Sequence, residues 1–328
     1  MPEVLRDFGV APEALFRAEG IPIDLFSDPD HAIPFEVLSR LLARCVRETG
    51  RDDLALLICE KAGASNLGLI GFLLQQAPDV RSALGVLVRY LHHTDQGGVP
   101  FLSESADQVS LGYSIYAPVA EGCDQIYDGA IAVGTNIMRA LCGPQWSPTE
   151  VRLSRRRPPA PAAYERFFGA PVRFDSEESA ILFPARWLET SRPGADGALR
   201  RMLQEQIDLL EVEETGLSER VIRLLRSALL TGSPSVDQVS AHLGITRRTL
   251  ARRLEAEGTT FKQLSDAIHY EVAQQLLLNT SLSLTRIGLA LNYSEASAFT
   301  RAFRKWSGTS PRNWRAGRAG EGERSAAR

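Results

Sequence analysis

Residues 287–311 read IGLALNYSEASAFTRAFRKWSGTSP. Ile287 and Leu291, with Leu284 one turn earlier, recur at helical spacing and form an apolar stripe. Asn292-Tyr293 then interrupts the pattern. Asparagine is the non-glycine residue that best tolerates the left-handed backbone of a tight turn between helices. Ser294 is placed to cap a second helix, in which Phe299 and Phe303 form a core pair. Ser297, Thr300 and Arg301 share the outward face of that helix. The stretch therefore predicts a helix-turn-helix unit whose second helix can lie in a DNA major groove.

The same scheme occurs upstream. Val236, Val239 and Leu243 form a stripe, Gly244 ends that helix, Ile245 fills the turn's apolar slot, and Thr246 is a good N-cap. In the helix that follows, Leu250 and Leu254 face the core while Arg248, Ala251 and Arg252 share another face. Arg252 and Arg301 sit 49 residues apart in equivalent slots, an internal repeat. Between the units, residues 261–278 read as one long helix carrying Phe261, Leu264, Ile268, Val272, Gln275 and Leu276 along its length. A rigid helix there would hold two readers on one face of a duplex, about 34 Å apart, one helical turn. Ala251 offers no hydrogen bond, so sequence reading by the first unit rests on Arg248 and Arg252. Each arginine can either reach a guanine edge or hold a phosphate. Phe299, Phe303 and Trp306 read as core, not as a base-stacking platform.

Charge separates this region from the rest. The 328 residues carry a net charge of −3, with 44% apolar and 23% charged residues, and the length favours two domains. Residues 217–328 hold 17 Lys and Arg against 9 Asp and Glu, a net +8, while residues 1–216 carry −11. A basic third joined to an acidic two-thirds predicts one domain that faces a polyanion and one that does not.

Residues 287–311 with Trp314-Arg315, and residues 243–254 through Gly258 and Phe261, resemble the two helix-turn-helix units of the AraC/XylS family of bacterial transcription regulators. The resemblance spans about residues 217–316 and rests on two motifs at the right separation. It implies that Arg248, Ala251 and Arg252 contact bases or backbone from the first unit, and Ser297, Thr300 and Arg301 from the second. Three positions depart from the family pattern. Ser240 and Gly288 stand where alanine is usual, and Asn292 where glycine is usual. Gly288 is expected to weaken its helix by about 0.5–1 kcal/mol.

The first half reads as α+β: a helical layer followed by a small ββαββ-like sheet. Helices begin at Pro34, at Asp52 as a cap, and at Asp79. Residues 99–105 and 108–116 alternate as a hairpin around Ala106-Asp107. Residues 123–141 return to a buried helix, and 150–154 and 180–183 are further strands. Tyr113 and Ile115 read as sheet core rather than pocket. Residues 21–34 (with Ser27-Asp28-Pro29-Asp30), 67–71 and 164–174 are similar to the arabinose-binding-type N-terminal domain of one branch of the AraC/XylS family. That resemblance implies an effector-binding or dimerising module; it does not imply that arabinose is the ligand. Arg155 and Arg156, in a triple-arginine run before Pro158-Pro159, are candidates to grip an anionic effector, or they form a solvated loop. His92-His93 could titrate or bind metal, but adjacent histidines on a helix point different ways.

These readings give a domain plan: an effector-binding or dimerisation domain over 1–195, a linker helix and acidic linker over 196–216, a double helix-turn-helix domain over 217–316, and a disordered tail over 317–328. Residues 1–10 lack an apolar run, so no secretory signal is expected, and residues 62–78 are too short and polar for a membrane span. Four scattered cysteines predict reduced thiols and no metal site; no cofactor is expected. None of Cys45, Cys59, Cys123 and Cys142 lies in a Pro-Cys-His context, and no G-x-S-x-G, P-loop or H-E-x-x-H is present, so no enzyme is expected. The expected partners are double-stranded DNA at two adjacent major-groove segments, a second copy in a homodimer, a small-molecule effector and RNA polymerase, in the cytoplasm at the bacterial nucleoid. Two readings of the acidic domain stay open: a sensor that makes the chain a ligand-responsive activator, or a dimerisation or protein-partner module on a constitutive DNA binder.

Overall fold

The computed structural model describes the chain except residues 26–32, 106, 116, 118–120, 193, 214–215, 230–234, 280–282, 294 and 317–328. The readings made on Ser27-Asp28-Pro29-Asp30, Ala106, Tyr116, Ser294 and the tail lie outside the described residues. The chain divides into two compact units, Met1–Ile207 and Asp208–Arg328.

In the first unit, α1 (Pro2–Asp7) and α2 (Pro12–Ala18) each begin on proline, whose fixed φ and missing N–H suit the first helical turn. They pack with α3 (Phe35–Thr49) around Leu5, Phe16, Leu41 and Leu54. Gly50 ends α3 at φ 64°. α4 (Leu54–Ile58) starts after Asp53, so Asp53 and not Asp52 holds the cap position. Asp52 contributes its carbonyl to a buried network instead, as described below. α5 (Gly68–Gln75) leads to α6 (Val80–Tyr90), which Asp79 caps by accepting from the Ser82 N–H at 2.7 Å.

Strands β1 (Gly98–Ser105) and β2 (Gln108–Ile115) form the expected hairpin, followed by α7 (Cys123–Cys142), β3 (Glu150–Arg152), α8 (Ala162–Phe168), β4 (Val172–Arg173) and β5 (Ser179–Pro184). The sheet order is β1-β2-β5-β3-β4, antiparallel except for the β3–β4 pair. The sequence reading lacked β4 and α8. Two residues of strand carry no period-2 signal, so β4 is visible only through its pairing. α7 packs on β2 and β5 from one side and on α3 and α4 from the other. It is the central partition of the unit. Helix α9 (Gly197–Glu213) begins in this unit, where Leu203 and Ile207 are buried in the main core.

The second unit is helical throughout its described residues: α10 (Leu217–Leu229), α11 (Val236–His242), α12 (Arg247–Ala256), α13 (Phe261–Asn279), α14 (Leu284–Ala290) and α15 (Ala296–Ser307). Side-chain N-caps recur along it. Ser235 and Gln238 form a capping box on α11, Thr246 caps α12, and Ser283 caps α14. The 19 residues of α13 span about 28 Å at 1.5 Å per residue. Leu250, Leu254, Ile287, Leu291, Phe299 and Phe303 are all buried.

Candidate nucleic-acid interface and N-terminal cavity

Both turns of the second unit are closed by the same backbone bonds. Gly244 N–H donates to the Ala241 carbonyl and Ile245 N–H to that of Ser240, at 3.1 and 3.0 Å. Asn292 N–H and Tyr293 N–H repeat this onto Leu289 and Gly288, at 2.9 and 2.8 Å. The turns are thus 48 residues apart. The N-caps that follow, Thr246 and Glu295, are 49 apart, so the second unit holds one extra residue between turn and helix. Glu295 occupies the N-cap position of α15 and makes no side-chain capping bond.

On α12 the side chains of Arg248, Ala251 and Arg252 are exposed, opposite the buried Leu250 and Leu254. On α15 Ser297 and Arg301 are exposed and Thr300 is half-buried, opposite Phe299 and Phe303. Among the described residues, Arg248, Arg252 and Arg301 form no ion pair, whereas neighbouring Arg247 is held by Asp237 of α11 at 3.3 Å. An exposed guanidinium with no internal partner keeps its full fork of donors for a ligand. Thr300 has already spent its hydroxyl proton on the Ala296 carbonyl at 2.8 Å, and Ser297 donates to the Glu295 carboxylate at 2.9 Å. On α15, Arg301 is therefore the strong donor among these three. Ser297 and Thr300 offer lone pairs and apolar surface.

Gly288 has a packing reason. A Cβ there would stand 3.2 Å from the Phe299 Cβ, so the glycine lets α14 approach α15 closely. The expected helix-propensity loss is set against that contact. Ser240, at the matching place in the first turn, is buried with its hydroxyl bonded to the Val236 carbonyl. Sequence reading missed Glu257. Its carboxylate accepts from the Leu217 and Ser218 N–H groups at 2.9 and 2.8 Å, tying the end of α12 to the start of α10. The Ser218 bonds hold that carboxyl below the usual range. It also missed Asp266, which faces both Lys262 and Lys305 at 3.6 and 3.9 Å.

In the first unit the triple-arginine run separates. Arg155 is buried, and its Nη1 donates to Asp128 Oδ2 at 2.5 Å and to the Asp52 carbonyl at 3.0 Å. Tyr164 Oη, with one proton to share, lies 2.8 and 2.9 Å from the same two acceptors, and Gln125 adds a bond to the Asp52 carbonyl at 2.8 Å. Burial pushes the Asp128 carboxyl up to about 7, against the pull of Arg155. Arg155 is thus committed to a buried partner, and Arg156 is exposed. Neither lines the unit's large cavity.

That cavity, about 730 Å³, lies between the helical layer, α7 and β2. Phe35, Leu38, Ile58, Leu67, Ala130 and Val133 give it an apolar wall. Its polar groups gather at the segment 93–97 and Tyr113. Asp95 accepts from the Gly97 and Gly98 N–H groups at 2.9 and 3.2 Å and from the Tyr113 hydroxyl. Burial holds the Asp95 carboxyl above its ordinary value. Tyr113, expected only in the sheet core, is buried there and also lines the cavity, its hydroxyl bonded to Asp95. The His92 and His93 rings lie 4.2 Å apart rather than diverging, because they sit on the 3-10 turn Leu91–His93. Burial raises the thiols, Cys45, Cys59 and Cys142 to about 11 and Cys123 to about 12, which leaves them protonated and unreactive near neutrality.

The family model described as the arabinose-binding domain of AraC transcription regulator, N-terminal, matches residues 9–191. The chain belongs to the AraC family. A helix-turn-helix domain model matches residues 239–317 of this AraC-family regulator. The ornithine utilization regulator of Pseudomonas aeruginosa is 26% identical over 317 residues, covering 95% of this chain and 93% of the relative. The HTH-type transcriptional regulator VirS of Mycobacterium tuberculosis is 27% identical over 317 residues, covering 96% and 93%. The crystal structure of the transcriptional regulator CdpR from Pseudomonas aeruginosa aligns with 96% of this chain and 97% of its own at 23% identity and a TM-score of 0.47. The chain is a DNA-binding AraC-family transcriptional regulator with a ligand-binding type of N-terminal domain, and its relatives are regulators rather than enzymes. Among the described residues no helix is long and apolar enough to cross a membrane, and no cluster of metal-ligating side chains occurs.

Proposed function

We propose that this chain is a ligand-responsive activator that reads two adjacent major-groove segments of its operator, as a homodimer joined through residues 1–195. The DNA reading rests on the pair of helices α12 and α15, each presenting arginine without an internal partner. Arg248 and Arg252 read or position from the first, and Arg301 from the second. Ala251, Ser297 and Thr300 complete the contact faces. The cavity in the acidic unit supports sensing over a pure dimerisation role, which would need no internal space. An effector that fits one arrangement of that unit better than another shifts the population that presents both readers, and RNA polymerase is the partner recruited. A protein reading chromosomal DNA in this way works in the bacterial cytoplasm, at the nucleoid.

The test is operator affinity and reporter transcription, each followed with and without a small-molecule extract of the host. The proposal expects both to change. Affinity and transcription that stay constant under every extract would leave a constitutive binder with a dimerisation module.

A further inference from the structure

The family description names a sugar, and the cavity is lined mostly by apolar side chains. A sugar presents hydroxyls on every side, and each hydroxyl buried without a partner gives up its bonds to water. The cavity wall offers few partners. The helical side is Phe35, Leu38, Ile58 and Leu67. The α7 side is Gly129, Ala130, Val133, Gly134 and Ile137. Gln125, the one amide deep in the wall, is held by the chain itself: its carbonyl accepts from Ala55 N–H and one of its amide N–H groups donates to the Asp52 carbonyl. Several of the apolar wall residues, including Phe35, Leu38 and Val133, are only half-buried although they belong to the rim of the main core. They line the cavity, and apolar surface left uncovered gains by being covered. The small residues of α7 create the space. A Cβ at Gly129 would make only ordinary contacts with Cys59 and Ala55, so close packing of α7 on α4 does not demand that glycine.

The polar groups sit at one end. His93, Thr94, Asp95, Gln96 and Tyr113 line it, and Thr94 and Gln96 are exposed, so this end meets the surface. At its centre Asp95 is an acceptor fixed by three donors from the chain itself. A carboxylate has about four lone-pair sites, so it can accept once more. A group that donates a hydrogen bond is welcome there, and a second carboxylate is not.

We propose that this cavity is the effector site and that it takes an apolar molecule bearing one hydrogen-bond-donating head group, a hydroxyl or an amine, seated against Asp95, and not a sugar. The inference rests on the reading of the N-terminal unit as a sensor.

The test uses the full chain and the apolar fluorophore N-phenylnaphthylamine, displaced by decanol, decylamine, decanoate or L-arabinose. Decanol and decylamine should displace it. Decanoate should need at least about tenfold more, the scale of one like-charge contact at a partly solvated site. L-arabinose should leave the fluorescence unchanged. Ala130→Phe, which fills the cavity, should abolish fluorophore binding in protein that still elutes as the folded species. Asp95→Asn keeps the shape and removes the charge, so it should bring decanoate level with decylamine, and it serves if Ala130→Phe does not fold. Displacement by L-arabinose, decanoate as effective as decylamine on the unaltered chain, or fluorophore binding indifferent to Ala130→Phe would each overturn the proposal. Displacement by decanol or decylamine with unchanged operator affinity upholds the ligand class while removing the sensor reading. An arabinose-driven change in operator affinity does the reverse.

Discussion

Gly244 and Asn292 occupy the same left-handed backbone conformation, φ 65° and φ 62°, at the two turns that orient the reading helices. Nothing lies within 4 Å of where a Gly244 Cβ would stand, so the glycine answers a backbone requirement and not a steric one. Gly244→Ala should therefore destabilise the second unit by about 1–2 kcal/mol. Thermal melting of the variant checks this. An unchanged melting temperature would show that the turn relaxes out of the left-handed region at no cost.

On α15, Arg301 is the strong donor among Ser297, Thr300 and Arg301, because Thr300 and Ser297 have committed their protons inside the helix or to Glu295. Arg301→Ala should lower affinity for the operator by about 1–3 kcal/mol while changing affinity for random DNA far less. Fluorescence anisotropy on both duplexes separates the cases. Equal losses would make Arg301 a phosphate contact that positions without reading.

The +8 charge of residues 217–328 predicts that this fragment binds DNA by itself and that its affinity falls steeply with salt. A titration series in rising potassium chloride measures the slope. A folded fragment that fails to bind at low salt would put a required DNA contact in residues 1–216.

Asp128 gives the first unit a pH signature. Its folded value, about 7, lies above the unfolded value of about 4, so between these the folded state holds the extra proton. The stability it contributes is complete below about pH 4 and is lost as pH rises toward about 7. Melting of the unaltered chain and of Asp128→Asn at pH 5 and pH 8 should show the unaltered chain losing ground to the variant as pH rises. The opposite trend would mean that attraction to Arg155 outweighs burial.

How much of this was legible beforehand depends on how local the signal is. The second unit was readable because its determinants are short-range: periodic apolar pairs at Leu250/Leu254 and Phe299/Phe303, a cap at Thr246, and turn residues at Gly244 and Asn292. The β1–β2 hairpin was readable for the same reason, through the alternation of Val109, Leu111, Tyr113 and Ile115. The cavity was not. Asp95 and Tyr113 are 18 residues apart, and their bond exists only once β2 and the segment before β1 are folded together. Arg155 looked like a surface cation, since nothing near it in sequence announces Asp128, 27 residues away on α7. Gly288 looked like a weak point because its partner, the Phe299 Cβ, belongs to another helix.

If α12 and α15 read two neighbouring DNA segments, each has its own set of base pairs. Every base pair of a selected operator is substituted in turn, and affinity is measured for the unaltered chain, for Arg252→Ala and for Arg301→Ala. The account predicts that each variant loses discrimination at its own short cluster of base pairs, and that the clusters lie about one helical turn, some 10 base pairs, apart. Loss of discrimination at the same base pairs in both variants, or at none in either, would contradict it.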